Sequence, residues 1–151
     1  MRVIRYIIGT LHLLLILRAK ILSVIKWWVD ASFAADPDCK DHTGAMMYIG
    51  SGSIMELSRK QKINGRSSME SDIVGAYYAL PQCLWSRYFI EGQGYAMEEL
   101  DFHQDNMSAM LTENNGKESR TKRTKHIRVR YLFINDRIEN GDLSLKYFLT
   151  G

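Results

Sequence analysis

The chain has 151 residues, a formal net charge of +3 at pH 7 and 46% hydrophobic residues. That length is enough for one domain with its own hydrophobic core, and the small net charge does not by itself indicate a polyanionic partner. The two cysteines, Cys39 and Cys83, are too few for a disulfide framework and lack metal-ligand spacing, so both are predicted to be reduced and structural. Composition therefore excludes disulfide-rich and low-complexity classes.

The first twenty residues, MRVIRYIIGTLHLLLILRAK, place basic residues before an apolar run, as a signal peptide does. Small and polar residues interrupt this run, however, and Arg18 closes it well short of the length of a membrane span. No small-residue cleavage site follows closely. We therefore expect neither secretion nor a membrane anchor, but a short helix over 1–8 and a strand or piece of core over 11–17.

Residues 24–35, VIKWWVDASFAA, are dense in strand-forming apolar residues. Such a run predicts a strand buried on both faces of a sheet. Asp30 lies in its middle, where a carboxylate is costly unless something pairs with it, and a bound cation is one such partner. The alternative is an aspartate at a strand end that caps a turn, and this stretch alone leaves both open.

Two short strands follow, AMMYIG and SIMELS, joined by a predicted hairpin turn at Ser51 and Gly52. Together with the strand of Asp30 they predict an antiparallel meander. The segment KQKINGRSS is polar and basic, which predicts a loop that leads into a helix capped by Ser67 or Ser68.

The helix predicted from Met69 onward carries large apolar residues at helical spacing. Pro81 is expected to kink or split it. Two acids lie in its first turns: Asp72 on the small-residue face and Glu70 nearer the large-residue stripe. A short strand is then predicted up to about Gln104.

Asp105 follows that strand and precedes a short predicted helix. Its alternative interpretation is the N-cap of this helix. Residues 117–130, KESRTKRTKHIRVR, then hold seven Lys or Arg against one Glu. This basic stretch predicts contacts with a phosphate backbone, and a solvated helix start is the competing interpretation. A further helix and a C-terminal strand complete the chain.

This element order is the layout of a ribonuclease H-like domain: an α/β (α+β) fold with a mixed five-stranded sheet flanked by helices. The sequence also resembles the C-terminal part of a copia-type retrotransposon polyprotein, from the end of the reverse transcriptase into its ribonuclease H. Matching segments run in family order over essentially the whole chain: RVIRYIIGT, KWWVDASFAADPD, HTGAMM, KQKINGRSSMES, LWSRYFIEGQGY, QDNMSAML, NGKES, KRTKHIRVRYLF and DRI. KQK followed by SS, and QDN with SAM, are the most specific of them.

The resemblance implies a nuclease that cuts the RNA strand of an RNA–DNA hybrid with two Mg²⁺ ions about 3.5–4 Å apart. Asp30 stands at the family's first-strand aspartate and Asp105 at its fourth-strand aspartate. The helix is expected to supply a glutamate, and Asp72 stands in that place with Glu70 as the other acid of the pair. The implied metal ligands are Asp30, Asp72 and Asp105, and the implied nucleic-acid contacts are Lys122, Arg123 and Lys125.

The sequence departs from this family pattern. Asp72 is one methylene shorter than the expected glutamate, and metal-ligand distances tolerate only about ±0.2 Å. A fourth acid is expected in a helix after the last strand, where this chain ends. We therefore expect 1–23 to be a remnant of the reverse transcriptase and 24–151 a ribonuclease H-like domain without its last helix, in a truncated, decayed copy whose polymerase portion is missing. An intracellular location, in cytoplasm, virus-like particle or nucleus, is implied.

Three classes of function remain open at this point. The chain is a ribonuclease H-like enzyme with weak Mg²⁺ binding and impaired activity, a nucleic-acid-binding remnant that cannot cleave, or the product of a non-functional pseudogene. Mg²⁺-dependent cleavage distinguishes the first class, hybrid binding without cleavage the second, and failure to give a soluble fold the third.

Overall fold

The computed structural model describes residues 1–19, 22–34, 37–63, 65–115 and 127–149. Its elements in chain order are α1 (Arg2–Gly9), β1 (Val24–Ser32), β2 (His42–Ile49), β3 (Gly52–Lys60), α2 (Ser68–Gly92), β4 (Glu99–Gln104), α3 (Met107–Asn115), α4 (Arg128–Glu139) and β5 (Ser144–Tyr147). The five strands form one sheet in the order β3-β2-β1-β4-β5. The first three pair antiparallel, whereas β4 pairs parallel with both β1 and β5. The predicted mixed sheet, with the strand of Asp30 at its centre, is confirmed.

The main core lies on one face of this sheet. Ile25, Trp27 and Val29 of β1 are buried there, in the same cluster as residues of α2 and α4. Residues on the other face of β1 are more exposed: Lys26 and Asp30 are open to solvent, and Trp28 stacks on His103 with ring centroids 4.6 Å apart. The prediction of a strand buried on both faces is therefore wrong. Because Trp27 and Trp28 are both apolar, the sequence did not show that buried and more exposed positions alternate along β1.

Small residues bring α2 close to the sheet. A Cβ added at Gly75 would lie 3.3 Å from Thr43 and 3.4 Å from the side chain of Ala31, so helix and strand are nearly in contact there. The helix runs unbroken through Pro81, and the predicted split is wrong. Residues on both sides of the proline, such as Leu80 and Leu84, are buried, and their packing compensates for the backbone hydrogen bond that proline cannot donate.

The N-terminal segment forms α1 as predicted, but residues 11–17 are neither a strand nor core. They have no regular structure beyond a turn, and their leucines and isoleucine are 60–84% exposed. Apolar composition alone cannot tell a core segment from an exposed one. The segment contacts the β2–β3 turn, where the backbone N–H of Ser51 donates to the Arg18 carbonyl oxygen at 3.0 Å. That turn is centred on Gly50 and Ser51, one residue earlier than predicted.

Both cysteines are free. Cys83 is buried in α2, where burial raises the pKa of its thiol well above the usual range. Cys39 is exposed and adopts a positive φ of 55°, so the predicted structural role is wrong for this residue. Within the described part of the chain, no helix has the length and apolar character needed to cross a membrane.

Candidate metal centre

Three carboxylates from three different elements meet at one edge of the sheet. Asp30 lies near the end of β1, Asp105 directly follows β4, and Asp72 lies in the second turn of α2. Because β1 and β4 are parallel neighbours, their carboxyl ends reach the same edge. One oxygen of each carboxylate lies within 4.8 Å of the others. Opposite ligands of a single Mg²⁺ are about 4.2 Å apart, so the three groups are close to a ligand set.

Asp72 is held in place by two hydrogen bonds. The backbone N–H of Ala31, the residue after Asp30, donates to Oδ1 at 3.1 Å, and Nδ2 of Asn106 donates to Oδ2 at 2.7 Å. These donors follow Asp30 and Asp105 directly in the chain. The same contacts that orient Asp72 therefore tie it to the two elements that carry the other acids.

The environment favours the protonated form of Asp72. Its side chain is almost fully buried, and this desolvation raises its pKa to about 7; the bond from Asn106 opposes the shift, and repulsion from Asp30 and Asp105 adds to it. The protonated form of Asp72 is therefore populated at neutral pH. A bound cation would favour the ionised form, because it offsets both the burial and the repulsion.

Asn106 caps α3, and Asp105 is therefore not its N-cap. The Asn106 side-chain oxygen accepts from the backbone N–H groups of Ser108 and Ala109, both at 3.1 Å. Asp105 instead faces the cluster, while the Asn106 amide holds Asp72. Sequence reasoning missed Asn106, although asparagine is among the preferred N-cap residues and belongs to the QDN segment.

Glu70 occupies a different position from Asp72. Its Oε2 accepts from the backbone N–H of Arg66 at 2.9 Å, and its own N–H donates to Oγ of Ser67 at 3.4 Å. Ser67 is thus the N-cap of α2, as predicted. Among the described residues, the group of acids within 4.8 Å of one another consists of Asp30, Asp72 and Asp105, without Glu70.

A buried acid near the cluster was also missed. Glu113 of α3 is fully buried, and neither carboxylate oxygen has a hydrogen-bond partner in the described part of the chain. Burial raises its pKa well above the usual range, and the charge of Asp72 adds to this shift. The signal was present in the sequence, because Ala109, Thr112 and Glu113 share one face of α3 at helical spacing.

The cluster opens into a cleft of about 480 Å³. Besides the three acids, Ser68 at the start of α2 and Asn106 line this cleft. The predicted nucleic-acid contacts Lys122, Arg123 and Lys125 lie outside the described residues. The acidic side chains at the cleft offer carboxylate oxygens, which suit hard divalent cations such as Mg²⁺ and Mn²⁺.

This fold is ribonuclease H-like, and the predicted fold class is confirmed. The chain superposes on LC11-RNase H1, solved in complex with an RNA/DNA hybrid, with a TM-score of 0.54 at 12% sequence identity, covering 82% of this chain and 84% of that one. It also superposes on the protease-reverse transcriptase of prototype foamy virus with a TM-score of 0.55 at 11% identity, covering 87% of this chain and 18% of that one.

The sequence itself is similar to the retrovirus-related Pol polyprotein from transposon TNT 1-94 of Nicotiana tabacum. The two are 29% identical over 124 residues, which is 81% of this chain and 9% of that polyprotein. The chain thus spans only a small part of the length of this relative. No family model matches the sequence. The predicted resemblance is confirmed at the level of retrovirus-related Pol polyproteins.

Proposed function

We propose that this chain is the ribonuclease H part of a copia-type retrotransposon polyprotein, located near the C-terminal end of that polyprotein, and that its substrate is the RNA strand of an RNA–DNA hybrid. The observation that carries the proposal is the meeting of Asp30, Asp72 and Asp105, from three elements, within 4.8 Å. Similarity to a retrovirus-related Pol polyprotein supports the ancestry.

The three aspartates would hold the metal, with Mg²⁺ as the natural ion and two ions as the expected number. The donor set fits, since it consists of carboxylate oxygens at the mouth of an open cleft. When bound, such ions supply an activated water and stabilise the leaving oxygen in phosphodiester cleavage. Asp30 is exposed and faces solvent from the central strand, while Asp72 is fixed by Ala31 and Asn106.

Activity in this chain is proposed to be weak, because Asp72 is poorly prepared to be a ligand. Both of its oxygens already accept hydrogen bonds, and its pKa of about 7 means that a proton must leave before a cation binds. It is also one methylene shorter than the glutamate that the resemblance implies. Each feature lowers metal affinity at neutral pH.

Residues 1–23 are proposed to be the end of the polymerase portion that precedes the nuclease in such a polyprotein. The large apolar side chains of α1 and of residues 11–17 are all more than half exposed, as expected for a segment whose packing partner is another part of a larger protein. The partners proposed for the intact molecule are therefore the remaining polymerase portion and the hybrid itself.

Hybrid cleavage in the presence of Mg²⁺ tests the proposal. The chain as it stands should cleave little or not at all, whereas Asp72→Glu, which repairs the shortened ligand, should restore metal-dependent cutting. Asp30→Asn in that repaired protein should abolish cutting, because one of the three proposed metal ligands is then lost.

Three outcomes would contradict parts of this proposal. Efficient cleavage by the unrepaired chain would show that the site is not impaired. Cleavage that survives Asp30→Asn would show that the metal site is assigned to the wrong residues. Hybrid binding without cleavage by every variant, including the repaired one, would favour a binding remnant over a nuclease.

A further inference from the structure

A second carboxylate, outside the metal cluster, is the centre of a buried polar network. Asp41 directly precedes β2 and is fully buried. Its Oδ1 accepts from the backbone N–H of Ala34 at 2.8 Å, and its Oδ2 accepts from the backbone N–H of Gly65 at 2.8 Å and from Oγ of Ser71 at 2.6 Å. Three donors compensate for burying one carboxylate, so the residue is well satisfied where it lies.

These three donors come from three separate segments, and two of them border the metal cluster. Ala34 lies four residues after Asp30, just beyond the end of β1, and Ser71 directly precedes Asp72 in α2. The third donor, Gly65, belongs to the loop that leads into α2. One side chain thus joins the strand that carries Asp30 to the helix that carries Asp72.

The close approach at this point requires glycine in the loop. A Cβ at residue 65 would come within 2.6 Å of Oγ of Ser71 and 2.8 Å of Oδ2 of Asp41. These distances are shorter than any that real Cβ atoms show, so a side chain at Gly65 would push the loop away from the helix. Glycine at residue 65 therefore allows the loop before α2 to approach Asp41.

Gln61 adds a second connection between the same elements. Its backbone N–H donates to the carbonyl oxygen of Asp41 at 2.8 Å. Its side-chain amide donates to Oγ1 of Thr43 and to the carbonyl oxygen of Ser71, both at 2.9 Å. The start of β2 is consequently attached to the start of α2 at two points, one through Asp41 and one through Gln61.

We propose that Asp41 is a positioning residue that fixes the distance between Asp30 and Asp72. The hydrogen bond from the Ala31 N–H to Asp72 joins β1 to α2. Asp41 links the same two elements through Ala34 and Ser71. Loosening Asp41 should let the first turns of α2 move relative to β1, which would spread the carboxylates. The consequence for metal binding depends on the function proposed above, whereas the geometric role does not.

Asp41→Asn tests this role, because an amide cannot accept from all three donors. Whichever way it turns, its NH₂ faces the N–H of Ala34 or that of Gly65. Hydrogen exchange of the Ala31 amide, measured without metal, should speed up about fivefold to tenfold, the change expected for one weakened hydrogen bond. Mn²⁺ affinity, measured by calorimetry, should fall about tenfold, as for other residues that orient ligands.

Asp38→Asn is the matched control. Asp38 lies on the same loop and carries the same charge, but it is half exposed and pairs with Lys60 at 2.7 Å instead of joining the network. It should leave Ala31 exchange and Mn²⁺ affinity within twofold of the parent. Ser71→Ala, which removes one donor and no charge, should shift both quantities in the same direction by about threefold, and it decides the question if Asp41→Asn fails to fold.

The proposal is overturned if the amides of Ala34 and Gly65 exchange faster in these variants while Ala31 exchange and Mn²⁺ affinity stay at parental values. That result would show that the network breaks without moving Asp72. If the parent chain binds no Mn²⁺, the proposed function fails instead, and Ala31 exchange still reports whether Asp41 positions the helix.

Discussion

At the scale of single residues, Asp72 shows how the same contacts can build a site and weaken it. Its two hydrogen bonds, from Ala31 and Asn106, place it beside the other acids. They also occupy the oxygens that a cation needs, and burial with two neighbouring carboxylates favours the proton. Metal binding must therefore compete with a proton and with Asn106 at once.

Asp72→Asn should change how stability depends on pH. The pKa of Asp72 in the folded state is raised from 3.8 to about 7. The parent's free energy of unfolding is therefore undiminished by this group below about pH 4, and it falls as the pH rises through 7. In EDTA, the free energy of unfolding of the variant, relative to that of the parent, should increase by about 2 kcal/mol from pH 5 to pH 8. Chemical denaturation at both pH values measures this difference, and the exposed acid variant Asp136→Asn should show none. Equal differences at the two pH values would contradict the shift.

Glu113→Gln should also become more stable relative to the parent as the pH rises, here because a buried charge is removed. Burial of this carboxyl, with no hydrogen-bond partner among the described residues, raises its pKa, so the parent loses stability as pH rises above about 4.5. The variant keeps the shape and removes the charge, and its stability relative to the parent should rise from pH 4 to pH 8 by at least about 1 kcal/mol. Glu139→Gln, at an exposed position in α4, serves as the control. A flat difference would mean that Glu113 has a partner when charged.

At the scale of elements, the sequence predicted the order of strands and helices and the cap of α2 better than it predicted burial and packing. The meander, α2 with its Ser67 cap and the strand-to-helix junction at Asp105 follow from local patterns of apolar, turn and capping residues. The open face of β1 was missed because Trp28 counts as apolar whether it is buried or stacked at a surface. The sequence left open whether Pro81 kinks or splits α2, and the absence of a split could not be predicted because packing of distant residues decides it.

The candidate site shows the same division. The three aspartates were predicted from motifs and from the family resemblance. The hydrogen bonds in and beside this cluster could not be predicted, because Asn106 and Asp72 are 34 positions apart in the chain and Asp41 and Ser71 are 30 apart. Contacts of this range depend on how helix and sheet pack, which no local pattern encodes.

Lys122, Arg123 and Lys125, in the middle of the basic stretch 117–130, lie outside the described residues, and their role stays a prediction. Replacing these three by alanine should reduce the slope of log affinity against log salt concentration, for a mixed-sequence hybrid, by roughly 0.9 for each phosphate that the variant no longer neutralises. Fluorescence anisotropy across a salt series measures the slope. Removing Arg2, Arg5 and Arg18 instead changes the net charge equally, and an identical effect of both triple variants would argue against a specific interface.

At the scale of the whole molecule, the topology explains why the acids meet. The antiparallel meander puts β1 at the centre of the sheet, and the crossover through α2 returns the chain as β4, parallel to β1. The carboxyl ends of both strands therefore share an edge, and the close approach allowed by Gly75 brings the start of α2 to the same place. The topology therefore places the candidate metal centre at this edge of the sheet.

Diffraction from crystals soaked in Mn²⁺, with data collected at the manganese absorption edge, shows whether the three carboxylates bind a divalent cation. We predict an anomalous peak within bonding distance of carboxylate oxygens of Asp30, Asp72 and Asp105 at pH 8, weaker at pH 6 because protonation of Asp72 then competes. Asp30→Asn crystals, soaked in the same way, should lose the peak. An empty cluster at pH 8, with manganese bound elsewhere on the protein, would show that these three aspartates do not form a metal centre.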